Sequence, residues 1–119
     1  MKNTTPNGIH YLISFFGCDR REVDSLRFWK RVLPKSVAGS RMAVLHSYYY
    51  KFRPHGITAF LLLSSSHLSI HTWPEYEHVT CDVFSCATEE ETEGVIKQLV
   101  GSVRYGRVKI RKVRRGYMV

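Results

Sequence analysis

Between Ile57 and Cys86 the chain passes through three extended-type segments with almost nothing between them. Ile57–Leu63 is a short apolar run, residues 67–73 follow a serine triplet, and residues 78–86 alternate Val79, Cys81 and Val83 with Thr80, Asp82 and Phe84. The separators, Ser64-Ser65-Ser66 and Trp73-Pro74-Glu75, are turn-forming. In this order of elements they read as strands of an antiparallel sheet. Any fold for this chain has to be built around that sheet.

The flanking sequence supplies helices and further strands. Ile9, Tyr11, Ile13 and Phe15 alternate as in a half-buried strand, and Gly17-Cys18-Asp19 makes a turn with Asp19 as a helix cap. Val23, Leu26, Trp29 (beside Phe28) and Leu33 then recur at helical spacing, with Pro34 expected to stop the helix and Trp29 expected in the core. Met42, Val44, His46, Tyr48 and Tyr50 share one parity of a second strand, with Ala43, Leu45 and Tyr49 on the other. Both faces are apolar, as in a strand covered by helices on one side and by a partner sheet on the other. Pro54-His55-Gly56 turns the chain into the central strands, and a helix opens at Thr88-Glu89-Glu90-Glu91, where acidic residues suit the helix dipole, with Val95, Ile96, Leu99 and Val100 as its apolar stripe. The order predicts one α+β domain over residues 1–119: a two-layer sandwich of antiparallel sheet with two helices on one face, built from two similar halves.

At 119 residues the chain can bury a core but is short enough that a large ligand needs a second subunit for half its walls. The formal charge of +8 is concentrated in Arg104, Arg107, Lys109, Arg111, Lys112, Arg114 and Arg115, interleaved with Val103, Val108, Ile110 and Val113. We read this as an edge strand whose basic face discourages aggregation rather than as a nucleic-acid patch. Cys18, Cys81 and Cys86 cannot all pair and lack the spacing of a zinc site or redox dithiol. With no long apolar run and no apolar core in residues 1–6, the expectation is a cytoplasmic protein without a membrane partner.

The candidate chemistry lies between Ser64 and Glu75, where a nucleophile, a base and a ligand carboxylate occur within a dozen residues. His67-Leu68-Ser69-Ile70-His71 has the outer histidines of a zincin motif, but Leu68 stands where the glutamate belongs. The serines, Ile70 and Pro74 favour an extended chain over the helix such a motif needs, so no metal is expected. On an unbroken strand Ser66 and His71 have opposite parity, and their cooperation requires a bend or reaction at the Ser66 backbone.

Ser64 to Glu75, together with Asp82-Val83-Phe84-Ser85-Cys86, resembles the self-processing segment of the bacterial and archaeal pyruvoyl-dependent S-adenosylmethionine decarboxylases. Phe52-Arg53-Pro54-His55-Gly56-Ile57-Thr58 resembles the segment before the family's processing site, and Gly8-Ile9-His10-Tyr11-Leu12 with Cys18-Asp19 its opening strand and turn. The resemblance implies autocatalytic cleavage between Ser65 and Ser66 into residues 1–65 and 66–119, the second chain capped by a pyruvoyl group made from Ser66. It further implies His71 as the processing base, Thr58 as a supporting hydroxyl and Cys86 as the proton donor in decarboxylation. Phe52 and Trp73 would hold the adenine and Glu75 the ribose of S-adenosylmethionine. In the family two processed protomers pair as a four-layer αββα homodimer, and the product donates aminopropyl groups for polyamine synthesis. Two departures stand out: Ser65 where the family usually has glutamate, and Ala87 where glycine is common. A pyruvoyl arginine or ornithine decarboxylase and a non-processing regulatory partner are the alternatives, with Trp73-Pro74-Glu75 favouring the nucleoside substrate.

Overall fold

A computed structural model describes residues 6–117, so the first five residues and the last two lie outside the description. Six strands form one sheet: β1 (Asn7–Phe16), β2 (Val44–Lys51), β3 (Ile57–Leu63), β4 (Ser66–Trp73), β5 (His78–Ser85) and β6 (Arg107–Gly116). Their spatial order is β2-β3-β4-β5-β1-β6, with every neighbouring pair antiparallel. A β3–β4–β5 meander is at its centre.

The period-2 pattern sorts side chains between two faces. Ile9, Tyr11, Ile13 and Phe15 of β1, Ile57, Ala59 and Leu61 of β3, Leu68 and Ile70 of β4, and Val79, Cys81 and Val83 of β5 are buried in a core shared with the helices. Those helices are α1 (Arg20–Val23), α2 (Leu26–Ala38) and α3 (Glu89–Ser102). The short α1 is one more than the two expected, capped by the Asp19 carboxylate accepting from Glu22 N–H at 3.0 Å. Thr88 caps α3 in the same way through Glu91 N–H.

Pro34 does not stop α2, which continues four residues to Ala38. A proline removes one backbone hydrogen bond, but here Leu33, Ser36 and Val37 bury their side chains on the sheet and hold the last turn in place. Ser36 Oγ also donates to the Leu33 carbonyl at 2.7 Å. Tertiary burial outweighs local propensity at this point.

The basic β6 is an edge strand, as its composition implies. Two of its charges pair with α3: Lys112 with Glu89 and Glu93, and Arg114 with Glu89. On the opposite face Arg107 lies over the Phe16 ring at 4.4 Å and Arg115 over Phe84 at 5.2 Å.

Trp29 is fully buried, and its indole N–H donates to the Val23 carbonyl at 3.0 Å, tying α2 to the end of α1. Trp29→Ala should therefore destabilise the fold by about 3–5 kcal/mol, through lost packing and an orphaned carbonyl. Trp29→Phe should lose distinctly less, a difference that denaturant titration of the two variants measures.

Candidate functional site

Two residues, Ser64 and Ser65, connect β3 to β4, and three contacts hold that connection. Ser64 N–H donates to the Ala43 carbonyl at 2.9 Å, and Ala43 N–H donates back to Ser64 Oγ at 3.1 Å. Cys86 N–H donates to the Ser65 carbonyl at 2.8 Å. The last contact falls on the peptide that the resemblance implies is cleaved, and an N–H on a carbonyl oxygen draws electron density away from its carbon.

Ser66 opens β4 directly opposite Ser85, the last residue of β5. Its side chain turns toward the helix layer, with Oγ 3.0 Å from Ser85 Oγ and 3.3 Å from Met42 Sδ. Ser65 and Ser66 are both buried, while Cys86 is half-buried just beyond the end of β5. The nucleophile, the carbonyl it would attack and Cys86 thus gather at one end of the β4–β5 pair.

His71 and Thr58 gather elsewhere. They oppose each other across β3 and β4 on the sheet face opposite α2 and α3, with Thr58 Oγ1 and His71 Nδ1 3.0 Å apart. When Nδ1–H donates to Thr58, Nε2 is left with a lone pair and can take a proton. β4 is unbroken from Ser66 to Trp73. His71 therefore stands about 17 Å along the strand from Ser66 and on the other face. The bend that would let these two residues of one chain cooperate is not there.

Phe52, Trp73 and Glu75 lie at the same far end. Trp73 closes β4, and its ring is 6.2 Å from the His71 ring and 5.7 Å from His78. Glu75, on the 3-10 turn Pro74–Tyr76, meets His55 Nε2 at 3.3 Å, joining that turn to the loop of residues 52–56. The loop is anchored by Gly56, whose φ of +108° favours glycine and whose N–H donates to the Asp24 carboxylate at 2.8 Å. Phe52 N–H donates to the Gly56 carbonyl, leaving the Phe52 ring exposed and edge-on to Tyr50 at 4.7 Å.

The open face carries Leu12, Tyr48, Tyr50, Phe60, Leu62 and Trp73, all exposed large apolar groups. His67 is also on it, stacked between Phe60 and Phe84 at 5.8 and 5.7 Å. His67 and His71 share this face but are about 13 Å apart along an extended strand, too far to hold one ion. Among the described residues no three His, Cys, Asp or Glu side chains cluster in a way that could hold a metal. A cleft of about 540 Å³ between the ends of α2 and α3 has Ser40, Arg41, Thr88 and Glu91 among its walls, but none of Ser66, His71 or Cys86. Among the described residues no helix is long and apolar enough to cross a membrane.

Ser85, the partner of Ser66, and Thr92 behind it do not stand out in the sequence. Ser85 and Thr92 are fully buried and hydrogen-bonded to each other at 2.7 Å. The available signal is parity: Ser85 continues the buried series Val79, Cys81, Val83, and Thr92 sits on the buried stripe of α3. A hydroxyl in such a position needs a polar partner.

The model of the S-adenosylmethionine decarboxylase family matches residues 9–116. The S-adenosylmethionine decarboxylase proenzyme of Thermoplasma acidophilum is 35% identical over 112 residues, covering 94% of this chain and 86% of that one. That of a Sulfurihydrogenibium species is 32% identical over 109 residues, covering 92% and 82%. The crystal structure of the adenosylmethionine decarboxylase from Aquifex aeolicus superposes with a TM-score of 0.87 at 30% identity, covering 96% of this chain and 94% of that one. The chain belongs to the S-adenosylmethionine decarboxylase family.

Burial, and next the neighbouring His10, lowers the pKa of His67 from its ordinary 6.5, with Arg115 acting in the same direction and Asp82 against it. The unfolded chain then binds more protons than the folded one in this range, so the His67 contribution to stability is present above about pH 6.5 and is lost as the pH falls below it. His67→Phe should flatten the decline in melting temperature between pH 7 and pH 5, a change that thermal melts across that range detect.

Proposed function

We propose that the chain is a proenzyme that cleaves itself between Ser65 and Ser66 and then decarboxylates S-adenosylmethionine, supplying an aminopropyl donor for polyamine synthesis. The observation that carries this reading is the grip on the reactive peptide, with Cys86 N–H on the Ser65 carbonyl and the Ser66 hydroxyl held beside it.

In maturation, Ser66 Oγ attacks the Ser65 carbonyl carbon, its proton passes to the departing amide nitrogen, and the peptide becomes an ester. The Cys86 N–H bears on the oxygen that gains charge in that step. Removal of the Ser66 α-proton then expels the Ser65 carboxylate and leaves a dehydroalanine at residue 66. Tautomerisation and hydrolysis of that residue release ammonia and form the pyruvoyl group. The surroundings fit such a group: it replaces a small buried side chain, beside the Cys86 backbone N–H that reaches the Ser65 carbonyl. The group supplies a ketone that condenses with the substrate α-amine and withdraws electrons as carbon dioxide leaves. Cys86 returns a proton to the α-carbon, Phe52 and Trp73 face the adenine, and Glu75 accepts from the ribose hydroxyls.

These roles suit a homodimer better than a single protomer. Trp73 is about 23 Å from Ser66 along β4, farther than one nucleoside–amino-acid conjugate spans, and His71 is about 17 Å from its own Ser66. A two-fold axis near the middle of β4, packing open face on open face, brings Thr58, His71, Phe52, Trp73 and Glu75 of one protomer to the Ser66 backbone and Cys86 of its partner from the open side. The same packing covers the exposed apolar residues of that face and gives four layers, αββα.

Purified wild-type protein should show two masses that meet between Ser65 and Ser66, with the second chain carrying a pyruvoyl rather than a serine N-terminus. It should release carbon dioxide from S-adenosylmethionine. Ser66→Ala should stay whole, and Cys86→Ala should be cut but turn over poorly. A wild-type chain that stays whole under native conditions, or a cut one that decarboxylates arginine or ornithine and not S-adenosylmethionine, would overturn the proposal.

A further inference from the structure

We propose that Ser85 and Thr92 are positioning residues for self-cleavage: with the Thr88 carbonyl they form a buried hydroxyl chain that orients the Ser66 hydroxyl toward the Ser65 carbonyl. The proposal rests on cleavage before Ser66 and adds to it a role for the first turn of α3, which touches neither the scissile bond nor the open face.

Three hydroxyls in a row lie between sheet and helix: Ser66, Ser85 and Thr92, with relative exposures of 7%, 1% and 0%. Ser66 Oγ is 3.0 Å from Ser85 Oγ, Ser85 Oγ is 2.7 Å from Thr92 Oγ1, and Thr92 Oγ1 is 2.8 Å from the Thr88 carbonyl. Ala87 N–H also reaches Ser85 Oγ at 3.0 Å. Apolar residues would fill these positions without needing partners, as Val83 and Val95 do beside them.

Each hydroxyl has one proton, and the backbone groups at the ends fix which way all of them point. A carbonyl only accepts, so Thr92 donates to Thr88. Thr92 is then an acceptor toward Ser85, and Ser85 donates to it. Ser85 already accepts from Ala87 N–H, and its remaining acceptor site takes the Ser66 proton. The alternative for Ser66 is Met42 Sδ at 3.3 Å, a weaker acceptor. With its proton committed to Ser85, Ser66 Oγ keeps its lone pairs for the neighbouring carbonyl.

Adjacent residues of one strand end thereby hold both reactants. The Ser85 side chain holds the nucleophile and the Cys86 backbone holds the electrophile. Thr92 fixes the Ser85 rotor from α3, whose start is set by the Thr88 cap. A serine held in a single orientation reacts more often than one free to rotate.

The test follows cleavage of full-length chains made in a cell-free system, by intact mass, with and without hydroxylamine. Hydroxylamine cuts the Ser65–Ser66 ester but not the peptide, so its effect reports ester formation, the step in which Ser66 orientation counts. Ser85→Ala should slow ester formation about tenfold, the equivalent of one ordinary hydrogen bond. Thr92→Val, which keeps the size and loses the hydroxyl, should slow it several-fold, and Thr92→Ser should recover most of the wild-type rate. Circular dichroism melts identify any variant that does not fold, and if Ser85→Ala is one, the two Thr92 variants decide. Wild-type rates in Ser85→Ala and Thr92→Val would overturn the proposal, as would Thr92→Ser being as slow as Thr92→Val. If the wild type itself stays whole, the cleavage reading falls and this inference with it. If the wild type is cut and the variants match it, only this inference falls.

Discussion

β4 runs extended and unbroken from Ser66 to Trp73, and the spacing of that one strand governs what a single copy of the chain can do. An extended strand alternates its side chains and advances about 3.3 Å per residue. Ser66 consequently faces the helices at the β5 end, while His71 faces the open side well down the strand, and Trp73 and Glu75 lie beyond it. Neighbouring strands reinforce the separation, since β5 delivers Ser85 and Cys86 to the first end and β3 delivers Thr58 to the second. One protomer presents two half-sites at opposite ends of β4. In the proposed dimer the halves are completed by exchange, each copy lending its histidine and aromatic turn to the other's reactive peptide.

The reactive end depends on tight local bonding rather than on a large concavity. A two-residue connection is tied to Ala43 on one side and to Cys86 on the other, so the Ser65 carbonyl and the Ser66 hydroxyl have few ways to move relative to each other. The helix layer supplies the rigidity behind them: α2 carries the fully buried Trp29 across the sheet, and α3 brings Thr92 to the base of Ser85. Under the proposed function, fold and chemistry are coupled through packing, because the core face of β4 and β5 that builds the sandwich also holds Ser66, the proposed nucleophile.

Much of this was legible in the residues. The order of elements indicated an antiparallel sheet, helical spacing around Trp29 and Val95 located α2 and α3, and the Lys/Arg alternation marked β6 as an edge. The opposite parity of Ser66 and His71 could be read directly from their numbers. Three features could not. Pro34 reads as a stop because propensity is local, whereas the turn after it is held by Leu33, Ser36 and Val37 buried on a distant sheet. The one-turn α1 is too short to show a period. Ser85 and Thr92 read as a strand-end serine and a helix threonine until the register sets Ser85 opposite Ser66 and packs α3 over both.

The central claim is that the reactive serine and its histidine act across two copies of the chain. Co-expressing Ser66→Ala and His71→Ala chains with different tags, isolating the mixed dimers, and measuring cleavage of each chain by intact mass tests it most directly. In a mixed dimer one site combines intact Ser66 with intact His71, both supplied by different chains, so the His71→Ala chain should be cut at a rate close to that of the wild type. The Ser66→Ala chain should stay whole. Mixed dimers in which the His71→Ala chain is cut no faster than in its own homodimer would contradict the account and return both residues to a single protomer.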